Sequence, residues 1–93
     1  MTILIVEKKN GLNFVKREDG KLIKVIEDDN EAIQFALDEV KREGGGEVWL
    51  WGCGPWIYRH IEVPDGVGLW GPEATLIHED VLKQPERLNF NKS

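Results

Sequence analysis

The sequence predicts an α+β fold: an N-terminal three-stranded antiparallel meander, one central helix, then short β-strands. Three observations carry this expectation. Apolar runs at 3–6, 12–15 and 22–26 are separated by Asn10-Gly11 and Asp19-Gly20, dipeptides that tolerate the positive φ angles of tight hairpin turns. Ile33, Ala36, Leu37 and Val40 recur at helical spacing. After Gly44-Gly45-Gly46, Val48 and Leu50 alternate with Trp49 and Trp51 at the period of a strand.

With two-residue turns, Glu7 faces Phe14 and Phe14 faces Val25. One sheet surface then carries Ile3, Ile5, Leu12, Phe14, Ile23 and Val25, and the other Leu4, Val6, Val15, Leu22 and Ile26. Both surfaces are apolar, so both need cover. The helix over 28–43 supplies some of it. Asp28 with Glu31 three residues on is a capping pattern, Lys41 and Arg42 suit the negative end of the helix dipole, and the glycines end the helix. Beyond it, strands are expected over 47–51, 56–63, 67–70 and 74–77, with turns at 52–55 and 64–66. Residues 79–93 lose periodicity and read as a loosely ordered tail or a cap.

Ninety-three residues, 41% hydrophobic and 31% charged, suit a single globular domain over 1–93. The formal charge of −5 is uneven. Residues 1–27 hold six Lys or Arg against four Asp or Glu, and 28–93 hold six against thirteen. An acidic chain is a poor match for nucleic-acid phosphates, although an acidic surface can meet a basic protein. Cys53 is the only cysteine, which excludes an intrachain disulfide and points to the cytoplasm, or the host cytoplasm for a viral protein. The apolar start meets Glu7-Lys8-Lys9 too soon for a signal peptide or a membrane span.

Asp28-Asp29-Asn30-Glu31-Ala32-Ile33-Gln34, then Gly44-Gly45-Gly46-Glu47-Val48-Trp49-Leu50, then 63–71 with Ala74-Thr75-Leu76-Ile77, resembles the start of pectin-lyase-like right-handed β-helix proteins. The resemblance covers residues 28–77. It implies an alternative fold, a truncated right-handed β-helix with an N-terminal capping helix, and carries no catalytic residue, since the family's catalytic groups lie in later coils. Residues 51–58 depart from the family's Pro-x-Gly-x-Tyr pattern. Residues 12–58 also look like a short bacterial α+β family of unknown function. That likeness implies an antiparallel hairpin over 49–63, where the first implies parallel pairing between coils.

Candidate chemistry is sparse. Gly66-Val67-Gly68-Leu69-Trp70-Gly71 spells a dinucleotide-binding pattern, but Pro72 follows where a helix must open. Cys53, His60 and His78, with Glu62, Glu79 and Asp80, match no compact metal-ligand or nucleophile spacing. Asp28 and Asp29 are accounted for by helix capping. No catalytic residue, metal site or cofactor is assigned, and the chain reads as non-enzymatic.

All four tryptophans lie within 49–70. Indoles can fill a core, anchor an interface or stack on sugars. Trp49, Trp51, Trp56, Tyr58 and Trp70 are therefore the candidate binding residues. The leading expectation is a small interaction protein, of viral or mobile-element type, that binds a protein partner or itself as a homo-oligomer through a Trp-rich surface. The alternative is a glycan-binding module or the remnant of a carbohydrate-active β-helix protein.

Overall fold

The computed structural model describes residues 1–52 and 54–82. Strands β1 (Thr2–Lys9), β2 (Leu12–Arg17) and β3 (Leu22–Ile26) precede the long helix α1 (Asp29–Arg42). Strands β4 (Gly46–Gly52), β5 (Trp56–Tyr58), β6 (Val67–Trp70) and β7 (Leu76–His78) follow it, and then a short helix, α2 (Glu79–Leu82). The result is a small mixed α/β fold. Five strands form one mixed sheet in the order β3-β2-β1-β4-β6, and β5 and β7 form a second, two-stranded sheet.

The first hairpin has the geometry its turn dipeptide implies. Asn10 and Gly11 both take positive φ, 55° and 77°, and Glu7 stands opposite Phe14. The second turn is one residue longer than expected. Arg17 N–H donates to the Lys21 carbonyl and Gly20 N–H to the Arg17 carbonyl, leaving three residues in the loop. Pairing therefore starts one step out of phase, with Lys16 opposite Leu22. A bulge at Ile23 restores the phase, so that Phe14 meets Val25. The bulge exchanges the expected places of two side chains: Ile23 packs against the main core, and Leu22 is exposed.

Helix α1 starts where Asp28 accepts the Glu31 N–H at 2.8 Å. It ends as Gly44 and Gly45 N–H return to the carbonyls of Lys41 and Val40. Ala32, Ile33, Ala36, Leu37 and Val40 form its buried stripe. They meet Leu4, Val6, Val15, Ile26, Val48 and Leu50 from one face of the sheet, with Trp56 from β5, in a single core. The crossover through α1 brings β4 back parallel to β1, pairing Leu4 with Val48 and Val6 with Leu50. Their contact at Gly46 is close: φ is 147°, and a Cβ there would lie 1.8 Å from the Thr2 carbonyl oxygen. Only glycine lets the two strands meet there.

Beyond β4 the chain repeats itself. Strand β6 lies parallel to β4, with Val67 opposite Gly46, and β7 lies parallel to β5, with Leu76 opposite Trp56. Among the described residues, no antiparallel hairpin forms over 49–63. Strand β5 stops at Tyr58 rather than continuing to 63, because α1 captures the following amides. Asn30 Oδ1 accepts from Arg59 and His60 N–H, and Gln34 Oε1 accepts from Glu62 N–H. Strand β7 begins two residues later than expected, and residues 79–82 of the expected tail are helical. The rest of that tail, 83–93, and Cys53 lie outside the described residues.

One polar network crosses the core. The Trp56 indole N–H donates to Asn13 Oδ1 at 2.9 Å, and Asn13 Nδ2 donates to Asp29 Oδ1 at 2.8 Å. Asp29 Oδ2 accepts from Lys8 Nζ at 2.7 Å and from Ile57 N–H at 2.8 Å. Trp56 and Asn13 are both fully buried. Replacing Trp56 with Phe strands the Asn13 acceptor in an apolar layer, which costs about 1–3 kcal/mol. Urea unfolding of Trp56→Phe is expected to show a loss of that size with an unchanged m-value.

Candidate functional site: an indole-lined sheet face

Period-two alternation places on the face away from α1 the side chains that the core does not use. Two rows run across the strands on that face. One is Leu22, Lys16, Ile5, Trp49 and Trp70, taken in order from β3 to β6. The other is Val25, Phe14, Glu7 and Trp51. Ile3 stands opposite Glu47 at the near end.

The indoles are contiguous. Trp49 lies 6.4 Å from Trp51, centroid to centroid, with rings 30° apart, and 5.7 Å from Trp70 with rings 55° apart. Trp49 is half-buried at the centre, its N–H held by Glu47 Oε1 at 2.8 Å. Trp51 and Trp70 flank it at 46% and 56% exposure. Ile5 is 3% exposed yet lies outside the main core cluster; its register neighbours on this face are Lys16 and Trp49. Phe14 is half-buried, and Val25 and Leu22 are exposed. The charges here are locally answered, with Lys16 Nζ 2.5 Å from Glu7 Oε1.

The five candidate residues therefore separate. Trp49, Trp51 and Trp70 share the outer face. Trp56 is enclosed in the core and presents nothing to a ligand, since an indole surrounded by α1 and the inner sheet face serves packing. Tyr58 belongs to the second sheet, half-buried, with its ring edge-on to His78 at 5.1 Å. Ile3, Ile5, Phe14 and Val25 belong with the exposed indoles. The alternation had already placed these four on one surface, but a strand pattern does not say which surface a helix will cover.

A shallow polar cleft lies at the other side, around the start of α1, lined by Lys8, Asp28, Asp29, Arg59 and Glu79 among others. Several of its charges are paired. Arg59 makes two hydrogen bonds to Asp28, at 3.0 and 2.9 Å, and Lys8 holds Asp29. The Arg59 hydrogen bond, followed by the Glu31 N–H, pulls Asp28 below the ordinary carboxylate range. Glu43 is lowered in the same way by its Arg17 hydrogen bond. Both carboxylates are thus held ionised, the opposite of what a proton donor needs at neutral pH. His60 pairs with Glu62 at 2.8 Å, and His78 Nδ1 lies 3.6 Å from Asp80. Among the described residues no three His, Cys, Asp or Glu side chains gather as a metal site, and no helix is long and apolar enough to cross a membrane.

The lowered carboxylates give a signed pH dependence. Each contributes stability that is fully present above its unfolded pKa and is lost as pH falls through its lower folded value. The melting temperature is therefore expected to drop on acidification below about pH 4. The slope should be shallower in Arg59→Gln and Arg17→Gln, by thermal melts across pH 2–6. Compared with protein-family models, curated proteins and solved structures, the chain matches none.

Proposed function

We propose that this chain is a non-enzymatic interaction protein that binds a protein partner, or a second copy of itself, through the outer face of its five-stranded sheet. The observation that carries the reading is the asymmetry of that sheet. Helix α1 covers one apolar face, while Trp51, Trp70, Leu22 and Val25 stay exposed on the other. A cluster of large apolar groups around half-buried aromatics is the composition of an interface centre.

The magnitudes favour a modest affinity. Covering the exposed halves of two indoles removes roughly 200 Å² of apolar surface, about 5 kcal/mol at 25 cal/mol/Å². Association costs a comparable amount in lost freedom, so the remaining affinity falls to Phe14, Val25, Leu22 and Ile3. Weight-average mass by sedimentation is expected to rise with concentration through the high micromolar range. Trp51→Ser with Trp70→Ser should abolish that rise with less than about 0.5 kcal/mol change in folding stability, as for exposed sites generally. A strict monomer in which Trp51 and Trp70 remain open to a soluble quencher would remove self-association, and a heterologous protein would be left as the partner.

A second reading is a glycan-binding module. The run of adjacent rings Trp51, Trp49 and Trp70 favours it, because indole faces stack on sugar rings. The parallel pairs β4–β6 and β5–β7, preceded by α1, support the resemblance to pectin-lyase-like β-helix proteins and thus a carbohydrate setting. Titration with a panel of acidic and neutral oligosaccharides should then quench or shift Trp emission in the wild type and not in the double variant. An unchanged spectrum across the panel discards this reading.

A further inference from the structure

The chain has two histidines, His60 and His78, and the fold treats them differently. His60 is exposed and pairs with the side chain of Glu62. His78, the last residue of β7, is half-buried and meets two main-chain groups. Its Nε2 lies 2.9 Å from the Arg59 carbonyl oxygen, and its Nδ1 lies 3.1 Å from the Asp80 nitrogen.

The polarity of these partners fixes the state of the ring. A carbonyl oxygen accepts, so Nε2 carries a proton; a main-chain N–H donates, so Nδ1 is bare. The neutral Nε2–H tautomer satisfies both contacts. An imidazolium donates from both nitrogens, so the Arg59 bond survives protonation and the Asp80 N–H bond does not.

Position gives the second bond its consequence. His78 stands immediately before α2, and Asp80 is the second residue of that helix. Nδ1 therefore supplies the acceptor that a side-chain oxygen commonly supplies at a helix start. Asp28 does this for α1 with a carboxylate held ionised by Arg59. At α2 the same duty falls to the side-chain type whose charge ordinarily changes between about pH 5 and 8. A replacement partner for a charged ring is close by, since Asp80 Oδ2 lies 3.6 Å from Nδ1.

The groups around the ring come from three elements. Tyr58 on β5 meets it edge-on at 5.1 Å. Glu79 and Asp80 follow it in α2. Arg59, whose carbonyl holds Nε2, directs its guanidinium to Asp28 at the start of α1, with Glu79 4.0 Å from it.

We infer that His78 is a pH-sensitive cap of α2. On gaining a proton at Nδ1 it exchanges the Asp80 N–H for the Asp80 carboxylate and releases the first turn of α2, while the bond from Nε2 to Arg59 keeps the ring in place.

Nitrogen NMR and hydrogen exchange on the full chain test both halves of this. Near pH 8, His78 Nδ1 is expected to be the unprotonated ring nitrogen and the Asp80 amide to be protected. As the ring gains its charge toward about pH 5, protection of the Asp80 amide should fall at least about fivefold, the measure of one hydrogen bond, after correction for the intrinsic pH dependence of exchange. Amides of β1 and α1 should keep theirs. In His78→Asn the response at Asp80 should vanish, because the amide oxygen that takes the place of Nδ1 does not titrate. A proton on Nδ1 near pH 8, an Asp80 amide already unprotected there, protection that stays level while the ring charges, or the same pH response in His78→Asn each overturns the inference.

Discussion

An indole N–H inside an apolar layer must find an acceptor, and the way Trp56 finds one organises this fold. Asn13 on β2 accepts it, Asp29 at the first position of α1 accepts from Asn13, and Lys8 on β1 neutralises Asp29. Four elements thus meet at one buried chain of hydrogen bonds, each group satisfied by the next. A network of this kind contributes little net stability when complete and costs about 1–3 kcal/mol or more when one member is removed. Its effect is specificity. The same Asp29 oxygen that holds Lys8 also takes the Ile57 N–H, so the network fixes where β5 lies, and β5 in turn sets the place of β7.

The apolar economy of the molecule follows from that placement. One helix of fourteen residues provides one buried stripe, and the network directs it onto the face bearing Leu4, Val6, Val15 and Val48. Past β5, the polar side chains of α1 are taken up too, with Asn30 and Gln34 receiving the backbone from 59 to 62. Nothing of the helix is left for the opposite face. Ile5 survives there as a buried residue outside the main core, and the indoles beyond it stay partly open. The core and the candidate interface are therefore two consequences of a single allocation.

What was legible in the sequence is what depends on neighbours along the chain. The capping pattern at Asp28 and the glycines after Arg42 bound α1 within a residue at each end, and the Asn10-Gly11 turn carries the register of the first hairpin. The Asp19-Gly20 turn misleads by one residue, since a dipeptide does not say whether the loop has two residues or three, and the bulge at Ile23 follows from that difference. Contacts distant in sequence were not legible. Alternation put Trp49 and Trp51 on one side of a strand, but their exposure depends on β4 lying parallel to β1, a pairing across more than forty residues. Trp56 looked like its neighbours in composition. Its enclosure rests on Asn13, which reads as an ordinary polar strand residue until Trp56 is placed against it.

The distribution of charge narrows what the outer face can bind. The chain as a whole is acidic, with its excess in the later two thirds, and this alone would suggest a basic partner. Outward positions of the sheet tell otherwise. Glu7 and Lys16 neutralise one another, and the Glu47 carboxylate is engaged by the Trp49 N–H. Acidic side chains such as Glu31 and Asp38 lie instead along α1, on the far side of the sheet. Beyond a Debye length of about 10 Å at 0.1 M salt their field is largely screened. A partner of the proposed kind would thus meet a surface close to electrically neutral, on which contact area and ring stacking, rather than charge, would select it.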